Sequence, residues 1–276
     1  MTRRRQVALA AGLFAASAAA AARLPAQVLP AQPERYLLTT EVDDARALWV
    51  NPAGLARRLE ASIGADIGVD RFSSGTMQLS QYGATVASRG LAASWIHDRY
   101  PGGPYVNAYA IGFGLGDEAF SGGVTRRWYR GLFAASAWDV AVRGALANGV
   151  QVSVVARGLD WPFPDTTYRP TVVPGASVAI LNGAAQVGAE WEIATHRWQS
   201  QEIRAGGTAS LGPELALAVR VDLAPDLKRR TIVVGLTWNA SQARVSGFTG
   251  LSGGLSEVDE FGASGTLVAL RPQSRP

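Results

Sequence analysis

The side chains able to do chemistry are few, and most of them are charges placed at alternate positions of apolar runs. Asp66 and Asp70 share one run, and Arg127, Asp139, Arg143 and Arg157 follow. Glu190 and Glu192 share another, and Arg204, Arg220 and Asp222 complete the set. Charges of both signs, spaced by two, could pair around trapped water inside a polar lumen. They could also line a conduit, or hold a ligand carboxylate bidentately through an arginine. Structural pairing is sufficient to explain them, and nothing in the spacing selects one arginine over another.

Acid–base and metal chemistry have little to work with. The chain has two histidines, His97 and His196, and no cysteine. A thiolate site is excluded, and neither histidine stands in a ligand cluster. Gly112-Phe113-Gly114-Leu115-Gly116 imitates part of a dinucleotide fingerprint, but no helix follows it, and small residues on an inward strand face are the simpler account. No nucleophile elbow, zincin helix or P-loop occurs. The expectation is a protein that is not an enzyme and has no cofactor and no metal.

Net charge adds little. The 276 residues contain 26 Lys+Arg and 22 Asp+Glu, but Arg3, Arg4, Arg5 and Arg23 all fall in the first 26 residues, where there is no acid. The remainder is balanced at 22 against 22, which argues against a nucleic-acid partner. Arg3-Arg4-Arg5, an apolar run from Val7 to Ala22, and the small residue in Leu24-Pro25-Ala26 follow the order of a cleaved secretory signal. Residues 1–26 are expected to be that signal, with the mature chain starting near Gln27.

The elements that must position the charges come next. In 36–58, acids precede Ala45, Ala47, Leu48 and Trp49, and Asn51-Pro52 then interrupts, because proline cannot continue a helix and biases its predecessor to an extended conformation. Two short helical turns broken at Asn51-Pro52 are predicted. From Leu59 the period becomes two: Ile63, Ala65, Ile67 and Val69 alternate with Ser62, Gly64, Asp66 and Asp70. The same alternation recurs from Ala185 to Ile193 and from Leu215 to Leu223. Strict alternation over about ten residues matches a tilted strand crossing a bilayer.

Candidate strands are 59–72, 77–87, 91–99, 105–115, 120–129, 133–146, 150–158, 171–181, 184–195, 201–211, 215–223, 231–239, 242–250 and 261–270. Alternate joints are tight, among them Arg89-Gly90, Asn148-Gly149 and Asn182-Gly183, as hairpins require. The intervening joints 159–170, 224–230 and 251–260 read as longer loops. Trp128, Tyr129, Trp138, Trp161, Trp191, Trp198 and Trp238 fall near strand ends, as interfacial girdles would. The fold expected is all-β, a transmembrane antiparallel barrel of about fourteen strands over 59–270. A lead-in and hatch over 27–58 would precede it, and a polar tail or linker stub over 271–276 would follow. Short turns and the amino terminus would lie in the periplasm, with bacterial outer-membrane lipid and the barrel-assembly machinery as partners.

Asp43-Asp44-Ala45, followed by Asn51-Pro52-Ala53-Gly54-Leu55 just before the first strand, resembles the start of the FadL-like outer-membrane family and its PorV-type relatives. The resemblance covers about fourteen residues. It implies a hatch folded into the lumen, with Asn51, Pro52, Ala53, Gly54 and Leu55 at its core. It also implies either passage of hydrophobic small molecules such as fatty acids or, in the PorV branch, service to secretion. The chain departs from that pattern in its shorter loops and in lacking a terminal aromatic residue. A barrel that does not transport, acting as a membrane anchor or assembly partner and joined to an envelope domain such as a periplasmic protease, is the alternative expectation.

Overall fold

A computed structural model describes residues 37–57, 60–71, 75–100, 103–162, 170–196, 198–252 and 257–269. The expected signal, most of the lead-in and the tail lie outside the described residues.

Fourteen strands form: β1 Ser62–Arg71, β2 Met77–Ser88, β3 Leu91–Arg99, β4 Tyr105–Gly116, β5 Phe120–Gly131, β6 Ala135–Ala145, β7 Val150–Leu159, β8 Thr171–Ile180, β9 Ala185–Ala194, β10 Gln199–Ser210, β11 Leu215–Leu223, β12 Arg229–Asn239, β13 Ala243–Ser252 and β14 Glu257–Val268. Each pairs antiparallel with its sequence neighbour, and β1 pairs with β14, so the sheet closes. Closure leaves no unpaired edge, which is the condition for a sheet to sit in lipid. At the seam Ile67 stands opposite Ala263 on one side and Tyr82 on the other. The Ala269 N–H donates to the Ala61 carbonyl at 2.8 Å.

The period of two sorts the side chains. Ile63, Ile67, Val86, Leu91, Ile111, Phe113, Leu115, Val140, Val142, Leu236 and Leu267 are exposed on the outer surface. Asp66, Thr85, Ser94, Arg127, Asp139, Arg143, Arg157 and Arg220 are buried on the inner one. An apolar outside around a polar inside is the arrangement of a bilayer-spanning barrel.

The tight turns lie at the end of the barrel where β1 starts and β14 ends. Arg89-Gly90, Asn148-Gly149 and Asn182-Gly183 all take positive φ at both residues, the type I′ requirement. The opposite end is less elaborate than the sequence suggests. The loop expected over 251–260 shortens to 253–256, because β13 and β14 both extend around a register shift at Gly250/Leu251. The polar run before Phe261 had concealed that extension. Among the joints between the described strands, 160–170 alone spans more than five residues.

Inside the barrel lie a short helix α1, Ala47–Val50, and a 3-10 helix, Pro52–Arg57. Asn51 between them is extended at φ −155°, ψ 96°, as the residue before a proline should be.

Candidate functional site

The hatch and the wall that grips it form the candidate site. A chain that is neither strand nor long helix leaves carbonyls and N–H groups without partners, and at membrane depth the protein must supply them. Here the lumen charges do so. Arg157 Nη2 donates to the Val50 carbonyl at 3.0 Å, and Arg143 Nη1 donates to the Val42 carbonyl at 2.9 Å. Arg220 Nη1 reaches the Leu37 carbonyl at 3.5 Å, and Thr125 Oγ1 donates to the Leu48 carbonyl at 3.0 Å. In the other direction, the Thr39 N–H donates to Glu190 Oε2 at 2.7 Å, and Thr39 Oγ1 lies 2.8 Å from Ser153 Oγ.

Most of the remaining lumen charges orient these contacts. Arg204 is held by Glu190 at 3.1 Å, Glu192 at 2.6 Å and Glu202 at 2.7 Å. Arg220 is held by Asp222 at 2.8 Å. Arg127 pairs with Asp139, both fully buried, and Asp139 also accepts the Gly158 N–H at 2.9 Å. Asp66 and Asp70 stand on β1, away from this cluster.

Within the hatch, Asn51 closes the break. Its Nδ2 donates to the Thr39 carbonyl at 2.7 Å, and its Oδ1 accepts the Ala53 N–H at 3.1 Å. Gly54 is required by the hatch itself. A Cβ there would lie 2.2 Å from the Val42 carbonyl oxygen, so it allows the hatch to fold on itself rather than to approach the wall. The close approach to the wall is made by barrel glycines. A Cβ on Gly123 would lie 2.2 Å from the Pro52 carbonyl oxygen, and one on Gly114 would lie 2.7 Å from the Ala56 nitrogen. Leu48, Trp49 and Leu55 are buried, packed with the inward residues Ala92, Ile96, Val106, Ala108, Ala110 and Tyr129. They are therefore covered by the wall instead of facing an open lumen.

Several participants were not singled out in the sequence. Asp44 binds Arg46 at 2.7 Å within the hatch and Arg244 on β13 at 2.5 Å. The two guanidinium groups outweigh burial and hold the Asp44 carboxyl far below the usual range. Burial pushes the Glu41 carboxyl up to about 7, with Glu190 adding to the rise and Arg220 and Arg143 opposing it. Tyr129, counted with the girdle residues, points inward, as its phase with Arg127 dictates. It meets Phe133 and Trp161 at ring-centroid distances of 5.8 and 5.5 Å. His97 faces outward between Tyr82 and Tyr105 at 4.8 and 5.1 Å, and His196 is exposed.

Two regions of the interior flank the hatch. At the end opposite the termini, Ile96, Val106, Tyr129, Phe133 and Trp161 pack as an apolar cluster, here called the collar, on the β3–β5 side of the lumen above Trp49. At the terminal end, a cavity of about 360 Å³ opens among Asp44, Glu60, Ser62, Gln242, Arg244 and Thr266.

No family model and no curated protein matches the sequence. Solved structures match the fold. The monoaromatic hydrocarbon channel CymD aligns at TM-score 0.59 and 10% identity, over 88% of this chain and 98% of its own. The P. putida toluene transporter TodX aligns at TM-score 0.56 and 12% identity, over 83% and 95%. An outer membrane protein of Acinetobacter baumannii aligns at TM-score 0.51 and 7% identity, over 76% and 98%. The chain therefore has the closed fourteen-stranded antiparallel architecture shared with outer-membrane barrels, with a hatch bonded into its lumen.

Proposed function

We propose that this protein sits in a bacterial outer membrane, tight turns and amino terminus periplasmic, and passes small hydrophobic molecules inward. The observation that carries the reading is the apolar collar. A lumen filled only for stability can be filled with charge pairs, as the wall beside Arg204 is. The collar instead joins the outer loops to the hatch through Trp161, Phe133, Tyr129 and Ile96, with small Ala108 and Ala135 between them. A compact apolar solute leaves water on entering such a collar, at roughly 25 cal/mol per Å² buried. The neighbours described as channels or transporters of aromatic hydrocarbons support the same reading.

The hatch packs on β4 and is hydrogen-bonded by side chains of β5 to β11, whereas Asp44–Arg244 ties it to β13. The terminal cavity is lined by Ser62, Ala87, Thr266 and Val268, so the route proposed runs between hatch and the β14–β1–β2 wall. Fatty acids and aromatic hydrocarbons are the two solute classes to compare.

Cells producing the protein should take up a radiolabelled aromatic hydrocarbon or oleate faster than vector controls. Trp161→Arg, which puts a charge in the collar, should remove the gain while leaving the barrel assembled. An assembled barrel that speeds neither solute overturns the transport reading and leaves an anchor or secretion partner.

A further inference from the structure

Arg126 breaks the apolar pattern of the outer surface. Its neighbour Arg127 points into the lumen, so Arg126 points out, in the same phase as Phe120, Val124 and Trp128. An arginine on the lipid face costs about 2–4 kcal/mol at the bilayer midplane and little near the interface. Its height is therefore informative. Arg126 stands opposite Ile111 on β4 and Trp138 on β6. Below it the outward rows are Phe113–Val124–Val140, then Leu115–Gly122–Val142, then Phe120–Gly144. Each row adds roughly 5 Å of height for tilted strands, so Arg126 stands about 15 Å above the lowest row, in the upper half of an apolar band about 25 Å tall, and its long side chain can carry the guanidinium toward the headgroups. Tyr109 and Trp128, one row higher, are girdle residues, and Arg130 follows them.

The surroundings of Arg126 have the form of a receptacle. Leu91, Phe113, Val124, Trp128 and Trp138 line an external groove of about 540 Å³ together with Arg126 and Asp160. The guanidinium carbon lies 4.9 Å from the Trp138 ring centroid, Nη2 donates to Ser136 Oγ at 2.5 Å, and Nη1 is 4.0 Å from Asp160 Oδ2. Nη1 is buried and has no hydrogen-bond partner. Asp160 is 81% exposed, and an ion pair that open to water contributes little.

We propose that this groove binds one phosphate-bearing lipid of the leaflet around the collar end. An acyl chain lies along Leu91, Phe113 and Val124, and the phosphate sits on Arg126, with Arg130 as a second cation above it. Charge complementarity selects this occupant over a neutral chain, because the cation stands one row above the apolar Leu91, Phe113 and Val124 and its Nη1 has no hydrogen-bond partner. The inference rests on the barrel lying in a membrane but not on transport, and its test reads no uptake.

Full-length protein, purified in a neutral detergent, would be titrated with dioleoylphosphatidylglycerol or with monoolein and followed by native mass spectrometry. One phosphatidylglycerol should bind at low ratio, and monoolein should not. Arg126→Gln should weaken binding by roughly tenfold, the loss of one charge-assisted contact to phosphate. Arg229→Gln, on exposed β12, should leave it unchanged, and Asp160→Asn should strengthen it. Val124→Trp, which fills the groove without touching the charge, should also reduce binding. Each variant's heat-modifiable mobility would confirm a closed barrel. Equal binding of both lipids, undiminished binding by Arg126→Gln, or a second copy of the chain in place of lipid would overturn the proposal.

Discussion

Arg157 on β7 donates to the carbonyl of Val50, a residue 107 positions earlier and the last of α1. That carbonyl has no helical partner because Pro52 ends the ladder. Replacing Arg157 with methionine keeps much of the side chain's bulk but orphans a buried acceptor, at a cost of about 1–3 kcal/mol. Hydrogen exchange followed by mass spectrometry should show faster exchange over 47–57 with the strands unchanged. Unchanged protection there would mean that Arg157 does not hold the hatch.

The seat of the hatch should be intolerant of a single methyl group. A Cβ on Gly123 meets backbone at Pro52, whereas one on Gly265 meets nothing within 4 Å. Gly123→Ala must displace the hatch and should raise single-channel conductance in planar bilayers, while Gly265→Ala should behave as wild type. Identical traces from both would show that the hatch has slack the geometry denies.

Glu41 gives the hatch a pH dependence. Burial lifts its carboxyl from 4.5 to about 7, so the folded hatch binds a proton more tightly than an unfolded one does. The stabilisation is then complete below pH 4.5 and is lost as pH rises through about 7. Exchange protection over 37–50 should accordingly fall between pH 5 and pH 8, after correction for intrinsic exchange. Glu41→Gln should flatten that dependence. A wild-type profile as flat as the variant's would refute this assignment.

Orientation on β1 can be read from a pair of adjacent substitutions. Ile67 is exposed on the outer surface and Asp66 is buried on the inner one. Ile67→Arg, costing about 2–4 kcal/mol if it lies at the midplane, should sharply reduce assembled barrel in outer-membrane fractions. Asp66→Asn should assemble nearly normally. Equal yields would point to a water-facing outer surface.

Removing 37–57 tests the hatch as a whole. The wall residues that hold it would then face water, and the deleted barrel should conduct more and lose discrimination between hydrophobic and polar solutes. A folded deletion protein with wild-type conductance and uptake would leave the anchor role alone standing.

The fourteen strands were legible because their determinant is local: Ile63, Ile67 and Val69 face one way and Asp66 and Asp70 the other, whatever the rest of the chain does. The hairpins Asn148-Gly149 and Asn182-Gly183 were legible for the same reason, since positive φ is a property of the two residues themselves. The break at Asn51-Pro52 belongs with them. What Arg143 and Arg157 bind was not legible, because their partners are main-chain carbonyls, and any residue has one. The packing of Gly54 was hidden in the same way: the sequence shows that a glycine is there, but not which backbone crosses it. Tyr129 was recoverable, since it keeps step with Arg127, and proximity to the strand end outweighed that phase. The outward position of Arg126 followed from the same count.

The attachments at Leu37, Thr39, Val42, Leu48 and Val50 reach five strands, β11, β9, β6, β5 and β7. Mechanically, this is a set of anchors in parallel. A pull on the segment loads several bonds together, so rupture needs concurrent failure instead of the stepwise peeling that anchors in series permit. Such a part resists extraction and sits as a fixed baffle in the throat; on the proposed transport reading, the clearance at its free side would govern flow.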